Sequence, residues 1–503
     1  MAKNYQKIAI SLIFGLLLSL IFFWLSDAPF FDVFPGSFIL TSAGTYLLAL
    51  TIDTMEKSKI LRWIIVIGFL IRMIFGIFIT TSLPVIGYDE PTQNNGYLFK
   101  DAYNRDTQAW EIAKSDKPFF DILEEEFIYD QYGGLLVIST VVYKVFSPNF
   151  HNKFLIIFLA ALMSSIGISF IWKILSTNRQ IQFFGTLIYA FYPDAILFSS
   201  SQMREPFLLG LSAILFWLVM TQETHWKKKI IPGLIISGLI LSISAKIGIF
   251  ILAFALICLY LKQISEFSRN IFNKKIFVLV FVFLIGLGIF SLRWILDAGK
   301  WDATLALSSS GWIQQIFSQL PEFLHLPFIS IYGLLQPVLP AAIVEPSIPI
   351  WKFIGIFRSL GWFILSSLFL YCFVFILRNK ENSRRKEWII FFCMIAFWIL
   401  LSSLRAGGDM WDNPRYRLSL LVPISIFLGQ STSYAIQTKD HWLWRIFAGQ
   451  FVLNIFFLQW YISRYTNIWG KLDFPVMIGL ILLINVLIFG QGIYWEIRKN
   501  RKL

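Results

Sequence analysis

Apolar runs of about 16 to 25 residues recur from one end of this 503-residue chain to the other. Each is about as long as a helix must be to cross a roughly 30 Å hydrocarbon core. In that medium backbone polar groups find partners only within a helix or a closed barrel. Composition agrees: 57% of residues are hydrophobic and 15% charged, against about 45–50% and 25% in soluble domains. The chain therefore reads as an all-α polytopic membrane protein. Disordered, coiled-coil and disulfide-scaffold classes are excluded.

The expected spans are 8–25, 34–52, 60–82, 154–172, 181–201, 205–221, 230–245, 247–261, 276–296, 353–377, 388–404, 418–437, 443–461 and 475–495, about 13–14 transmembrane helices. The first follows Lys3 and Lys7 in the manner of a signal peptide, but no small-residue cleavage site follows it, so it reads as a retained anchor. The run 133–146 is short, has polar flanks and contains Gly133, Gly134 and Lys144. Counting it as a span would put Lys227–Lys229, Arg384–Lys386 and Arg498–Lys502 on the outside, against the positive-inside rule. As an interfacial helix it restores a consistent charge pattern. Of 43 Lys and Arg, 25 then fall on the cytoplasmic side and 15 outside; of 30 Asp and Glu, 21 fall outside. Both termini are expected in the cytoplasm.

The net charge of +13 thus reflects topology rather than nucleic-acid binding. Cys258, Cys372 and Cys393 all lie in apolar runs and offer no CxxC site, and His151, His225, His325 and His441 are scattered. Two long segments, 83–153 and 297–352, are expected outside, with amphipathic helices along the surface.

Chemistry is expected on that outer face. In 101–116, DAYNRDTQAWEIAKSD, residues Asp106, Trp110 and Ala113 share a helical face from Asp106 onward. Asp101, five residues earlier, points about 140° away on a continuous helix, so one of the two at most aims at a given ligand. An Asp ahead of a helix also serves simply as an N-cap. Span 181–201 ends at FYPDAILFSSSQMREPF, where Arg204 and Glu205 emerge beside Pro206; such a pair also acts as an interfacial anchor. Lys246 sits at a sharp outer turn and competes with a snorkelling role. LRAGGDMWDNPRYRLSL (404–420) supplies Arg405, Asp409, Asp412, Arg415 and Arg417, with Tyr416 between the last two arginines. Positive charge at an outer span end runs against the topological trend, and a phosphate at the membrane surface would account for it through a bidentate guanidinium fork. Carboxylates and guanidinium groups together suit group transfer from a phosphate-linked donor. With no Walker loop and no D-x-D pair, a lipid-linked donor fits better than a nucleotide sugar.

At these residues the chain resembles the GT-C superfamily of polyprenyl-phosphate-sugar transferases, and is most similar to the branch with protein O-mannosyltransferases and the lipid A aminoarabinose transferase. The likeness spans about 60–420. It is carried by LIRMIFGIFI, the acidic outer loop with its Asp, aromatic at i+4 and Ala at i+7, then YDQYGGLLVI, an outer Glu-Pro and RYR opening a late span. It divides the chain into additional N-terminal spans (1–59), a catalytic core (60–420) and C-terminal spans (421–503). The resemblance puts the catalytic carboxylate on Asp106, with Asp101 as rival, and a second acidic position on Glu205. Arg415 and Arg417 match basic positions near the donor phosphate. Where the aminoarabinose branch has Glu-Lys-Pro-Pro, this chain has Asp130, Gln131, Tyr132 and Gly133, which shifts phosphate binding towards Arg204 or Lys246.

The implied reaction moves one sugar, with inversion, from a polyprenyl-phosphate carrier to an acceptor hydroxyl of a glycan, lipid or protein. No cofactor is required; a divalent metal is compatible, but the sequence identifies no site. The implied location is the bacterial inner membrane, with the endoplasmic reticulum second. A polymerase or ligase using a diphosphate-linked donor, or a lipid-oligosaccharide flippase or other transporter, are the rival classes. Transporters usually place ionisable groups near the midplane, where only Arg72, Asp194, Arg293 and Arg358 are expected here.

Overall fold

The computed structural model describes residues 2–55, 58–115, 133–176, 178–221, 226–266, 318, 320–379, 384–406 and 412–500. Among these residues there are twenty helices and no strand. Eight helices are long and apolar enough to cross a membrane, nine if one bent pair counts as a single span. The chain is an all-α, multi-pass membrane protein. The expected span 276–296 lies outside the described residues.

By packing the chain divides into two compact units: Met1–Leu292 with Leu418–Val422, and Arg293–Arg417 with Pro423–Leu503. The first contains α1 (Ala2–Trp24), α2 (Phe30–Met55), α3 (Lys59–Ile86), α4 (Pro91–Asn94), α5 (Lys100–Lys114), α6 (Gly134–Phe146), α7 (Phe154–Ile174), α8 (Arg179–Phe191), α9 (Pro193–Ser199), α10 (Glu205–Met220), α11 (Trp226–Ile243) and α12 (Ala245–Glu266). Helix α7 is apolar all round and 89% buried, the pattern of a central helix. Helices α2, α3, α8, α9 and α10 pack around it. Helices α1 and α2 meet along small polar residues, with Ser19 Oγ 3.2 Å from Thr41 Oγ1 and Thr45 Oγ1 donating to the Ser11 carbonyl at 3.3 Å. Small residues let two membrane helices approach closely where no hydrophobic drive separates helix from lipid.

The run expected as span 181–201 is two helices, α8 and α9, bent by 49°. Pro193 causes the bend: it lacks the N–H that would continue α8 and opens α9 as its first residue. Asp194, in the next position, accepts from the Tyr192 hydroxyl at 3.0 Å.

Short connections alternate the direction of α1–α3 and of α7–α12, and Asn152, just ahead of α7, donates to Ser37 near the start of α2. The start of α2, the start of α7, the α9–α10 turn and the α11–α12 turn therefore share one end of the unit, called here the site end. Helix α6 lies across it. At its first residue, a Cβ on Gly134 would sit 2.5 Å from the Ser242 carbonyl oxygen at the end of α11. At its last, the Phe146 carbonyl oxygen comes 1.7 Å from where a Cβ on Gly36 of α2 would be. Only glycine permits these two approaches, and they make α6 a crosspiece rather than a span, in keeping with the reading of 133–146 from charge.

The second unit contains α13 (Glu322–Leu335), α14 (Leu339–Val344), α15 (Pro349–Arg378), α16 (Arg385–Ala406), α17 (Asp412–Leu418), α18 (Leu421–Gln437), α19 (His441–Thr466) and α20 (Phe474–Asn500). Helix α19 packs on α14, α15 and α20. Trp460, Met477 and Ile481 form the contact between α19 and α20.

Candidate active site

Helix α5 begins at Lys100, six residues before the point where its periodicity first becomes evident. Its buried face reads Ala102, Arg105, Asp106, Ala109, Trp110, Ile112 and Ala113, the i, i+3, i+4 recurrence of an amphipathic helix. Asp101, Glu111 and Lys114 lie on the exposed side. Two charged residues thus occupy positions that small and apolar side chains fill elsewhere on this face. A buried charge is costly unless hydrogen bonds replace its water, so their partners decide what they are for.

Asp106 is 1% exposed. Among the described residues its carboxylate meets three hydrogen-bonding groups, none of them a lysine or arginine. The Tyr97 hydroxyl donates to Oδ2 at 2.6 Å. The Tyr143 hydroxyl, from α6, lies 2.8 Å from both oxygens. His151 Nε2 is 3.0 Å from Oδ2. The imidazole stacks flat on Trp110, with centroids 5.3 Å apart and planes 3° from parallel. The Tyr143 ring stands nearly perpendicular to it, with centroids 4.9 Å apart and planes at 83°. Three aromatic rings thus fix the position of one carboxylate.

Burial, the Asp106 charge and then Tyr143 push the Tyr97 phenol well above its ordinary value of about 10; burial and then Asp106 do the same to Tyr143. Both phenols therefore stay protonated at any physiological pH and act as donors. Lys153 lies beside the cluster, its Nζ 5.2 Å from the Tyr97 ring centroid and donating to the Asn95 carbonyl. Burial lowers its pKa, opposed by Asp106.

Loop 147–153, which carries His151, is pinned to α2. Asn149 Nδ2 donates to Asp32 at 2.8 Å, and Asn152 Nδ2 to Ser37 Oγ at 3.0 Å. The N-terminal spans, which the family resemblance does not account for, therefore hold one wall of this centre. The other wall is the α9–α10 turn: Arg105 donates to the Gln202 carbonyl, and Phe99 stacks on Phe198 at 4.9 Å.

That turn leads into Arg204 and Glu205, so the structure brings these two to the same end as Asp106. Glu205 is 1% exposed, opens α10 where the helix dipole favours an anion, and pairs with Arg204 Nε at 3.5 Å. Asp101 shares α5 with Asp106 but is exposed in its first turn. Lys246 is half-buried just beyond the α11–α12 turn that abuts Gly134.

The basic cluster of 404–420 belongs to the second unit. Arg415 is buried there, and the Tyr416 carbonyl accepts from Trp398 Nε1 at 3.0 Å. The Arg417 guanidinium lies over the Trp362 ring at 3.6 Å and donates to the Gln336 carbonyl, which ties α17 to α15 and to the end of α13. The Arg405 side chain, Asp409 and Asp130 lie outside the described residues.

Tyr97, Tyr143, His151 and Lys153 are the residues that reading the sequence missed. A histidine and a lysine directly ahead of span α7, on the side richer in acidic residues, were the available signal. Their pairing with Asp106 spans 45 residues and has no local pattern. Among the described residues, no three His, Cys, Asp or Glu side chains gather as metal ligands. Comparison with family models, with curated proteins and with solved structures finds no match in any of the three.

Proposed function

We propose that this chain is an integral-membrane inverting glycosyltransferase. It moves a sugar from a polyprenyl-phosphate carrier to an acceptor hydroxyl, on the outer face of the bacterial inner membrane, with both termini in the cytoplasm. One observation carries the reading. The Asp106 carboxylate is buried at the end of a membrane bundle among neutral and titratable donors, instead of being neutralised by a lysine or arginine. Such a centre can take up a proton as an acceptor oxygen attacks the anomeric carbon. Arg204, Glu205 and Lys246 at the same end supply charged groups for donor or acceptor, and the family resemblance also offers Arg415 as a donor-phosphate residue.

The test uses the full chain in nanodiscs with a panel of polyprenyl-phosphate sugars, following thermal stabilisation and release of free polyprenyl phosphate. A true donor raises the melting temperature, because it binds only the folded state. Arg415→Ala is expected to weaken donor binding about tenfold, the loss of one charge-assisted hydrogen bond. Silence with every monophosphate donor and a response to diphosphate-linked lipids would move the assignment to a polymerase, ligase or flippase.

A further inference from the structure

The Asp106 carboxylate is crowded. Tyr97, Tyr143 and His151 hold its oxygens, and its side chain is 1% exposed, so a substrate hydroxyl reaches it only by displacing a partner. The His151 side chain is 21% exposed and is the accessible member of the pair. Facing an ionised carboxylate, which only accepts hydrogen bonds, Nε2 must be the nitrogen that carries the hydrogen, and in a neutral ring the lone pair is then on Nδ1. Among the described residues Nδ1 has no hydrogen-bond partner, while Trp110 and Tyr143 fix the ring plane.

We propose that the proton acceptor in the transfer reaction is Nδ1 of His151, with Asp106 as its positioning residue. This rests on the glycosyltransferase reading above. The acceptor oxygen forms its bond to the anomeric carbon as the bond from that carbon to the phosphate oxygen breaks. The bonding electrons leave with polyprenyl phosphate, and the hydroxyl proton passes to Nδ1. Asp106 then faces an imidazolium through Nε2–H and stabilises it. The imidazole returns its proton to solvent after the glycoside departs. The other charged and titratable groups around the ring are Tyr143 on α6, Tyr97 ahead of α5, Lys114 over Trp110, Lys153 at the start of α7 and Asp32, which holds Asn149.

Two measurements on the full chain in nanodiscs test this. The first needs no turnover: carbethoxylation of His151 by diethyl pyrocarbonate at pH 8, followed by peptide mass spectrometry with exposed His441 as internal reference. His151 should react readily, and Asp106→Asn should slow it about tenfold, because the amide no longer enforces the tautomer. An inert His151, or one indifferent to Asp106→Asn, overturns the dyad whether or not any donor is found. The second uses whichever polyprenyl-phosphate sugar turns over. His151→Ala should lower kcat by about 10²–10⁴-fold with donor KM unchanged, and abolish the acidic limb of the pH profile. Asp106→Asn should shift that limb, and the double variant should be no worse than His151→Ala. Wild-type kcat in His151→Ala beside a dead Asp106→Asn makes Asp106 itself the base, leaving the transferase reading intact. No turnover of any donor by the wild type removes the transferase reading, while the carbethoxylation result still decides the dyad.

Discussion

Two buried aspartates, one in each unit, are held in opposite ways. Asp440 accepts from Arg378 Nη1 at 2.9 Å, from the Tyr371 hydroxyl at 2.9 Å and, as N-cap of α19, from the Trp442 backbone N–H at 3.0 Å. Its charge is matched by a fixed cation and a helix end, so nothing is left for a substrate to alter. Asp106 has a tyrosine in the corresponding role but a histidine where Asp440 has an arginine. Imidazole changes its charge near neutral pH and guanidinium does not. One carboxylate is held by a permanent cation, and the other by two phenols and an imidazole.

The comparison can be broken most directly at the two carboxylates. Asp106→Asn should cut turnover by about 10²–10⁴-fold, the span for losing a general base or the carboxylate that orients it, with the protein still folded by melting curve. Asp440→Asn should do the reverse: it removes one of the two carboxylates on Arg378, which keeps Glu496, costs about 1–3 kcal/mol of stability and leaves kcat at the wild-type value. If Asp440→Asn instead lowers kcat at unchanged stability, the two aspartates do not differ in role.

The paired tyrosines sharpen it. Tyr143→Phe should lower turnover about tenfold, one hydrogen bond's worth, whereas Tyr371→Phe should change stability alone. The pKa of Tyr143 is raised in the folded protein, so its contribution to stability is complete below the ordinary phenol value and lost as pH rises through the folded one. The difference in stability between wild type and Tyr143→Phe should therefore be constant up to about pH 10 and narrow above it. The smallest effect belongs to Asp101→Asn, expected within about twofold of wild type because that side chain is exposed at a helix start. A large loss there would return Asp101 to contention as the catalytic carboxylate.

Much of the fold was legible because span length is imposed by the bilayer. The runs read as 60–82, 154–172 and 353–377 are helices Lys59–Ile86, Phe154–Ile174 and Pro349–Arg378. The bend at Pro193 was not read, although a proline inside an apolar run was its signal. Asp106 stood out because Trp110 and Ala113 share its helical face. His151 did not, because histidine in a loop has no periodicity and its partner lies on another helix. The role of α2 was hidden for the same reason: Asp32 and Ser37 reach the site through asparagines more than a hundred residues away.

Helix α6 acts as a strut of fixed length, 13 residues or about 20 Å, wedged between two backbones at glycines that admit no side chain. Tyr143 sits three residues from one end, so a shift of the whole helix by about 1 Å stretches its bonds to Asp106 past useful length. Mutational tolerance should therefore be lowest at some positions that carry no functional group at all. Replacement of Gly36 or Gly134 by alanine would silence the site from a distance, and a scan for lost activity would score both beside the residues that touch Asp106.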